Sequence, residues 1–176
     1  MKILKIGLIL MTYCLVFAFA LGVVRTITKP RQEAVERLQR MSAVKNVLPQ
    51  AEKFVEKKLK SGVSYYLGVT RGDTVGYVIE GKEYGFSSDI VAMVGMDKDF
   101  NIQKIEVVTQ SETPGLGNKV SEDWFENQFS GKSLAQIKLE RNGGEIKAIT
   151  GATISSKAIT KAVRETVKKL QGELSR

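Results

Sequence analysis

Residues 150–156 read Thr150, Gly151, Ala152, Thr153, Ile154, Ser155, Ser156, and all but Ile154 are small or carry a hydroxyl. They follow the apolar, strand-like residues 146–149. Beyond them Ile159, Val163, Val167 and Leu170 recur at helical spacing, with Lys157, Lys161, Arg164, Lys168 and Lys169 falling elsewhere. The pattern predicts a helix starting at or just after Ser155 or Ser156, either of which is a competent N-cap. A helix N-terminus offers unpaired backbone N–H groups and the positive end of its dipole to an anion such as a phosphate. Gly151 and Ala152 leave the approach to the Thr153 hydroxyl uncrowded. A strand, a serine-capped turn and a helix with no ligand would use the same residues.

A second unusual stretch runs Glu112, Thr113, Pro114, Gly115, Leu116, Gly117. Pro-Gly suits the central positions of a type II turn, whose second residue needs positive φ. Leu116 between two glycines fits a backbone brought close to a flat ligand, and equally a plain strand-to-helix turn.

The rest of the composition narrows the chemistry. There is no histidine, which removes the commonest general base and metal ligand and excludes a histidine-based hydrolytic triad. The single cysteine, Cys14, lies in an apolar run, so neither an intrachain disulfide nor a thiolate metal site is available. Reactivity must then come from hydroxyls, carboxylates or a cofactor that brings its own.

The elements that position these residues are legible in outline. Between Ile6 and Val24 no residue is charged, a length that just spans a hydrocarbon core. An uncleaved anchor is the expectation, with a signal peptide as the competing reading because Lys2 and Lys5 precede the run and Ala18 and Ala20 resemble a cleavage site. Arg25, Lys29 and Arg31 follow it, so the charge count leaves the orientation open. The formal charge is +8, but residues 1–30 hold four Lys/Arg and no acid, leaving 23 basic against 19 acidic residues. No dense basic tract appears, which argues against nucleic acid.

Three segments are expected: an anchor over 1–29, a helical connector over 30–60 ending its helix at or before Pro49, and a domain over 61–176. In the domain, residues 64–70 and 74–80 form a hairpin around Arg71, Gly72 and Asp73, and residues 90–96 and 102–109 form another. Short turns make these strands antiparallel, giving an α+β fold with flanking helices. Residues 81–88 read as irregular. Residues 121–129 read as a short helix capped by Ser121, with Trp124, Phe125 and Phe129 packing in the core. Further short strands are predicted over 137–139 and 145–149.

Thr150, Gly151, Ala152, Thr153, Ile154 and Ser155 together resemble the S/T-G-A-T-x-S/T flavinylation motif of membrane-anchored FMN-binding domains. The stretch beginning at Glu112 resembles the E-T-P-G-L-G segment of that family, and Trp124, Phe125 and residues 128–132 resemble the segment between. With the anchor, the resemblance covers essentially the whole chain. It is similar to the G subunits of the Rnf ion-translocating electron-transport complexes, whose relatives include the C subunits of sodium-translocating NADH:quinone reductases.

The resemblance implies FMN attached through its phosphate to Thr153, a bond made from FAD by a separate, magnesium-requiring flavin transferase. It implies cofactor contacts from Glu112, Thr113 and Leu116, and an attachment loop of Thr150, Gly151, Ala152, Thr153 and Ser155. Gln110 stands where the family often has histidine. The implied activity is electron relay within an ion-translocating oxidoreductase of the ferredoxin:NAD+ type, not catalysis by this chain alone. The coupling ion, sodium or proton, is left open. Implied partners are the other membrane subunits, the transferase and lipid around residues 6–24, with the domain on the extracytoplasmic side. Alternative settings are a quinone-reductase complex or a free-standing flavin carrier; from another class, a cofactor-free anchored interaction module.

Overall fold

A long apolar run sustains a long helix, and α1 (Lys2–Val47) is continuous even through its interior proline, Pro30. The computed structural model describes residues 2–174, without the side chains of residues 2–4 and Glu33; Met1 and Arg176, the outer limits of the expected segments, lie outside the described residues. The chain divides into two compact units, residues 1–39 and 40–176. In the first, the described side chains are all exposed. Thr12, Thr26 and Thr28 each donate their hydroxyl to the carbonyl four residues earlier, hiding polar groups from an apolar surface. Among the described residues this is the one helix long and apolar enough to cross a membrane.

The second unit is a five-stranded antiparallel meander whose strands neighbour one another in chain order, starting from β1 (Lys53–Lys58). β2 (Ser64–Thr70), β3 (Asp73–Tyr84), β4 (Asp89–Met96) and β5 (Ile102–Thr109) bear out the two hairpins and the α+β fold. The first turn carries Arg71 at φ 53° and Gly72 at φ 92°, the left-handed pair that matches strand twist.

The sheet is covered on both faces, which explains why β4 is almost uninterruptedly apolar. Ile90, Ala92, Val94 and Met96 enter a core completed by Ile159, Val163, Val167 and Leu170 of α3 (Thr153–Leu174). Met93, with Val78 of β3, faces the other way onto Ala43, Val44, Val47 and Leu48 at the end of α1 and just beyond. Glycines make this close approach possible. A Cβ at Gly95 would sit 2.1 Å from the Val47 carbonyl oxygen, and one at Gly68 would sit 2.5 Å from Leu48 Cδ2.

Several expectations need correction. The helix expected to end at or before Pro49 does so at Val47, but no strand is expected from sequence beyond it, where β1 (Lys53–Lys58) forms the sheet's exposed edge. Its lysines suit an edge strand that must not pair further. Residues 81–84 extend β3, because they pair with β4, and only residues 85–88 are irregular. Residues 121–129 are not one helix: a 3-10 turn (Gly117–Ser121) leads to α2 (Asp123–Glu126) and a second 3-10 turn (Asn127–Phe129). Ser121 caps nothing; its hydroxyl donates to the Asn118 carbonyl. Phe125 and Phe129 are buried as expected, but Trp124 is 51% exposed. Residues 137–139 and 145–149 form no strand, meeting only in a single parallel bridge between Leu139 and Ile146.

One buried acid had no sequence signal. Glu126 is 4% exposed and accepts the Val107 N–H at 2.8 Å. Burial pushes its carboxyl up, from an ordinary 4.5 to about 7, against the Val107 hydrogen bond and with help from Glu106. An acid raised in the folded state is protonated there while the unfolded chain is already ionised. Its contribution to stability is therefore full below pH 4.5 and is lost as pH rises through 7, by up to about 3 kcal/mol. Glu126→Gln keeps an acceptor for Val107 and cannot ionise. Chemical denaturation should find it close to wild type at pH 4.5 and more stable at pH 8.

Candidate flavin cleft

The site is built where α3 begins. The helix starts at Thr153, two residues earlier than the sequence pattern suggests, and neither serine is its N-cap. Both serines are drawn into the first turn by tertiary hydrogen bonds. Ser156 Oγ accepts the Ile149 N–H at 2.9 Å and donates to the Ala152 carbonyl at 2.9 Å, tying the approaching segment to the helix. Ser155 Oγ donates to Glu112 Oε2 at 2.5 Å. Gly151, at φ 80°, makes the turn into the helix. Thr153, Ile154 and Ser155 are left with N–H groups that have no backbone acceptor, as a helix start requires.

The Glu112 loop meets this turn. Its Thr113-Pro114-Gly115-Leu116 turn is closed by the Leu116 N–H on the Thr113 carbonyl, with Gly115 at φ 76°, as the Pro-Gly pair predicts. Leu116 lies against Gly151, where a Cβ would come within 3.1 Å of Leu116 Cδ2. Gly117 lies directly over the Glu112–Ser155 pair, with space for no Cβ: one would be 2.8 Å from Ser155 Oγ.

Glu112 itself is turned inward and is 5% exposed. Its carboxylate accepts from the amides of Phe86, Ser87 and Ser88 at 2.9–3.0 Å, from the Ser88 hydroxyl, and from Ser155. Burial pushes the carboxyl up, but the hydrogen bonds from Ser155, Ser87, Phe86 and Ser88 outweigh it and bring it to about 2. It stays an anion that pins three segments. Gln110 fixes the loop from its other end: its side-chain oxygen accepts the Glu112 N–H at 2.8 Å.

Between these segments opens a cleft of about 470 Å³ lined by Phe86, Thr113, Leu116, Gly117, and residues 151–155. Six residues expected from sequence at a cofactor, Thr113, Leu116, Gly151, Ala152, Thr153 and Ser155, line it. Thr150 is exposed one residue outside it, and Glu112 lies beneath its wall. Phe86, Gly117 and Ile154 line the cleft without having been expected at a cofactor, and of these Phe86 alone lies outside both sequence motifs. Phe86 is 63% exposed, the most exposed large apolar side chain of the second unit.

The hydroxyls of the cleft differ in what they are free to do. That of Ser155, and those of Ser156 and Thr160 outside the lining, are all committed to hydrogen bonds. Among the described residues the exposed Thr113 hydroxyl and the half-buried Thr153 hydroxyl, which both line the cleft, make none, and of the two only Thr153 stands at the helix N-terminus.

Comparison with known proteins agrees with this architecture. The family described as FMN-binding domain matches residues 85–168, a span that runs from the Phe86 loop into α3. The G subunit of an ion-translocating oxidoreductase complex from Methanosarcina acetivorans is 34% identical over 94% of this chain and 93% of its own. The chain belongs to the family of these G subunits. Another member, the G subunit of a Na(+)-translocating ferredoxin:NAD(+) oxidoreductase complex from Acetobacterium woodii, is 33% identical over 96% of this chain and 92% of its own. The fold extends beyond that family. A crystal structure of the C subunit of Na(+)-translocating NADH-quinone reductase from Parabacteroides distasonis superposes with a TM-score of 0.52 at 22% identity. That match covers 65% of this chain and 63% of the other, so the chain spans less than two thirds of that structure's length.

Proposed function

We propose that this chain is the electron-relaying subunit of an Rnf-type, membrane-bound ferredoxin:NAD+ oxidoreductase and carries FMN esterified through its phosphate to Thr153. The observation that carries the reading is the uncommitted Thr153 hydroxyl at the start of α3, facing a cleft with apolar walls.

The residues present fit the cofactor. Phe86, Leu116 and Ile154 give the cleft large exposed apolar side chains suited to a flat ring. The free N–H groups of residues 153–155 suit a phosphodiester anion, worth about 0.3–1 kcal/mol from the helix dipole. That is too little to retain a cofactor, so the ester and the ring packing supply retention. Attachment is a phosphoryl transfer: the Thr153 Oγ1–H bond and the FAD pyrophosphate bond break, an Oγ1–P bond forms, AMP leaves with the bridging oxygen, and the threonine proton passes to the AMP phosphate or to solvent. A separate flavin transferase performs it, since nothing among the cleft residues is a free base. Ser155 is an unsuitable acceptor because it is buried and its proton is held by Glu112.

When bound, FMN supplies one- and two-electron transfer. The chain's residues do the rest: Thr153 tethers, Leu116 and Ile154 exclude water, and Glu112 fixes the loop that carries Phe86. A relay of this kind needs no protein general base, consistent with the absence of histidine. Residues 6–24 anchor the chain in the cytoplasmic membrane, with the domain extracytoplasmic and beside other membrane subunits. The extent of the likeness to the two G subunits, at 33–34% identity over more than nine tenths of each chain, favours this setting over a quinone reductase.

The test is a denaturing gel of the chain co-produced with its flavin transferase. The wild-type and Thr153→Ser bands should fluoresce under ultraviolet light, and the Thr153→Val band should be dark. A dark wild-type band would remove the flavin assignment; a bright Thr153→Val band would move the attachment elsewhere.

A further inference from the structure

Phe86 departs from the usual burial of aromatic side chains. Burial of a phenylalanine side chain is favourable, yet this one is 63% exposed and, among the described residues, stacks on no other ring. A flexible loop would explain an exposed side chain, but this loop is pinned. The Gly85 N–H closes it onto the Ser88 carbonyl at 2.7 Å, and the next three amides all point to the Glu112 carboxylate. Position 85 has no room for a side chain, since a Cβ there would lie 2.6 Å from Glu112 Oε1. With its backbone amides gathered inward, the loop presents Phe86 to the cleft, where Leu116 and Ile154 also contribute exposed apolar side chains. Three large apolar side chains exposed around one concavity mark a surface made to be covered.

We infer that Phe86 is a ring-contacting wall of the cleft, packing on the flat face of the bound flavin, and that Glu112 is the positioning residue that holds it there. The inference rests on the FMN reading and adds to it a residue and a division of labour. Glu112 acts through the loop and not by touching the cofactor, and the apolar aromatic surface selects a planar heteroaromatic ligand.

The test uses the full chain in detergent, loaded by its transferase, in a Trp124→Phe background so that an introduced indole is the chain's single tryptophan. An indole in van der Waals contact with a flavin quenches its emission by electron transfer. Phe86→Trp should lower native flavin emission several-fold relative to the background, with full emission regained on denaturation. Phe86→Tyr should load normally. Adding Glu112→Gln, measured well below its own melting temperature, should restore part of the native emission by loosening the loop. Equal native emission with Phe86 and with Trp at this position, when both bands fluoresce after denaturation, would overturn the Phe86 contact. Unchanged quenching after Glu112→Gln would overturn the positioning role. A band dark after denaturation in every variant would instead overturn the FMN reading, and this inference with it.

Discussion

Glu112→Ala should destabilise the domain by about 3–5 kcal/mol, with a fall in melting temperature of roughly 10–20 °C, and should strip the cleft of its shape. The substitution removes one acceptor shared by five donors: the amides of Phe86, Ser87 and Ser88 and the hydroxyls of Ser88 and Ser155. A hydrogen bond to a charged group is worth about 1.5–3 kcal/mol, and water reaching the loop amides recovers part of the loss. The pH dependence carries its own signature. A carboxyl lowered from 4.5 to about 2 on folding contributes stability that is fully present above pH 4.5 and is lost as pH falls through 2. That part amounts to at most about 3 kcal/mol, reduced by screening at the adjoining exposed loop. Denaturation across pH should therefore show the gap between wild type and Glu112→Ala widest near neutrality and narrowing below pH 4.5. A gap that stays constant down to pH 2 would contradict the hydrogen-bonded carboxylate.

Gly95→Ala should be at least as damaging. The added methyl would meet the Val47 carbonyl oxygen at 2.1 Å and its carbonyl carbon at 2.7 Å. Both are backbone atoms, so no rotamer change relieves the clash, and either β4 or the end of α1 must move. The cost is of the overpacking kind, about 3 kcal/mol or more because the obstacle is main chain. Its effect should concentrate on the layer formed by Ala43, Val44, Val47 and Leu48 over Val78 and Met93. Hydrogen exchange should report early opening of residues 43–48, with the α3 face of the sheet more protected. Gly7→Ala, where a Cβ meets nothing within 4 Å, is the matched control and should leave the melting temperature unchanged.

What the sequence made legible was whatever depends on neighbours in the chain. Alternation placed β2 and β5 at their observed limits, and the Pro114-Gly115 pair set a turn whose φ the structure bears out. Misreadings arose where distant residues decide. Ser155 looks like a helix cap to any local rule, but Glu112, 43 positions away, takes its hydroxyl and lets the helix begin at Thr153. β1 is rich in lysine because it is an edge, and an edge reads as solvated coil until its partner is known. Trp124 looks like core beside Phe125 and Phe129, yet the break into short turns rotates it outward. Phe86 sits in a stretch of glycine and serine, and only the amides gathered on Glu112 reveal that its loop is rigid. The sequence motifs identified most residues of the cleft; the division of its hydroxyls into the free ones of Thr113 and Thr153 and the committed one of Ser155 is a tertiary property.

The central claim is that the Thr153 hydroxyl is uncommitted because it is the point of attachment. Mass spectrometry of the chain co-produced with its flavin transferase tests this most directly. The intact protein should be heavier by one FMN less one water, and the modified peptide should carry that addition on Thr153. An unmodified mass from a preparation with confirmed transferase activity, or an addition mapped to Thr150 or Ser155, would contradict it.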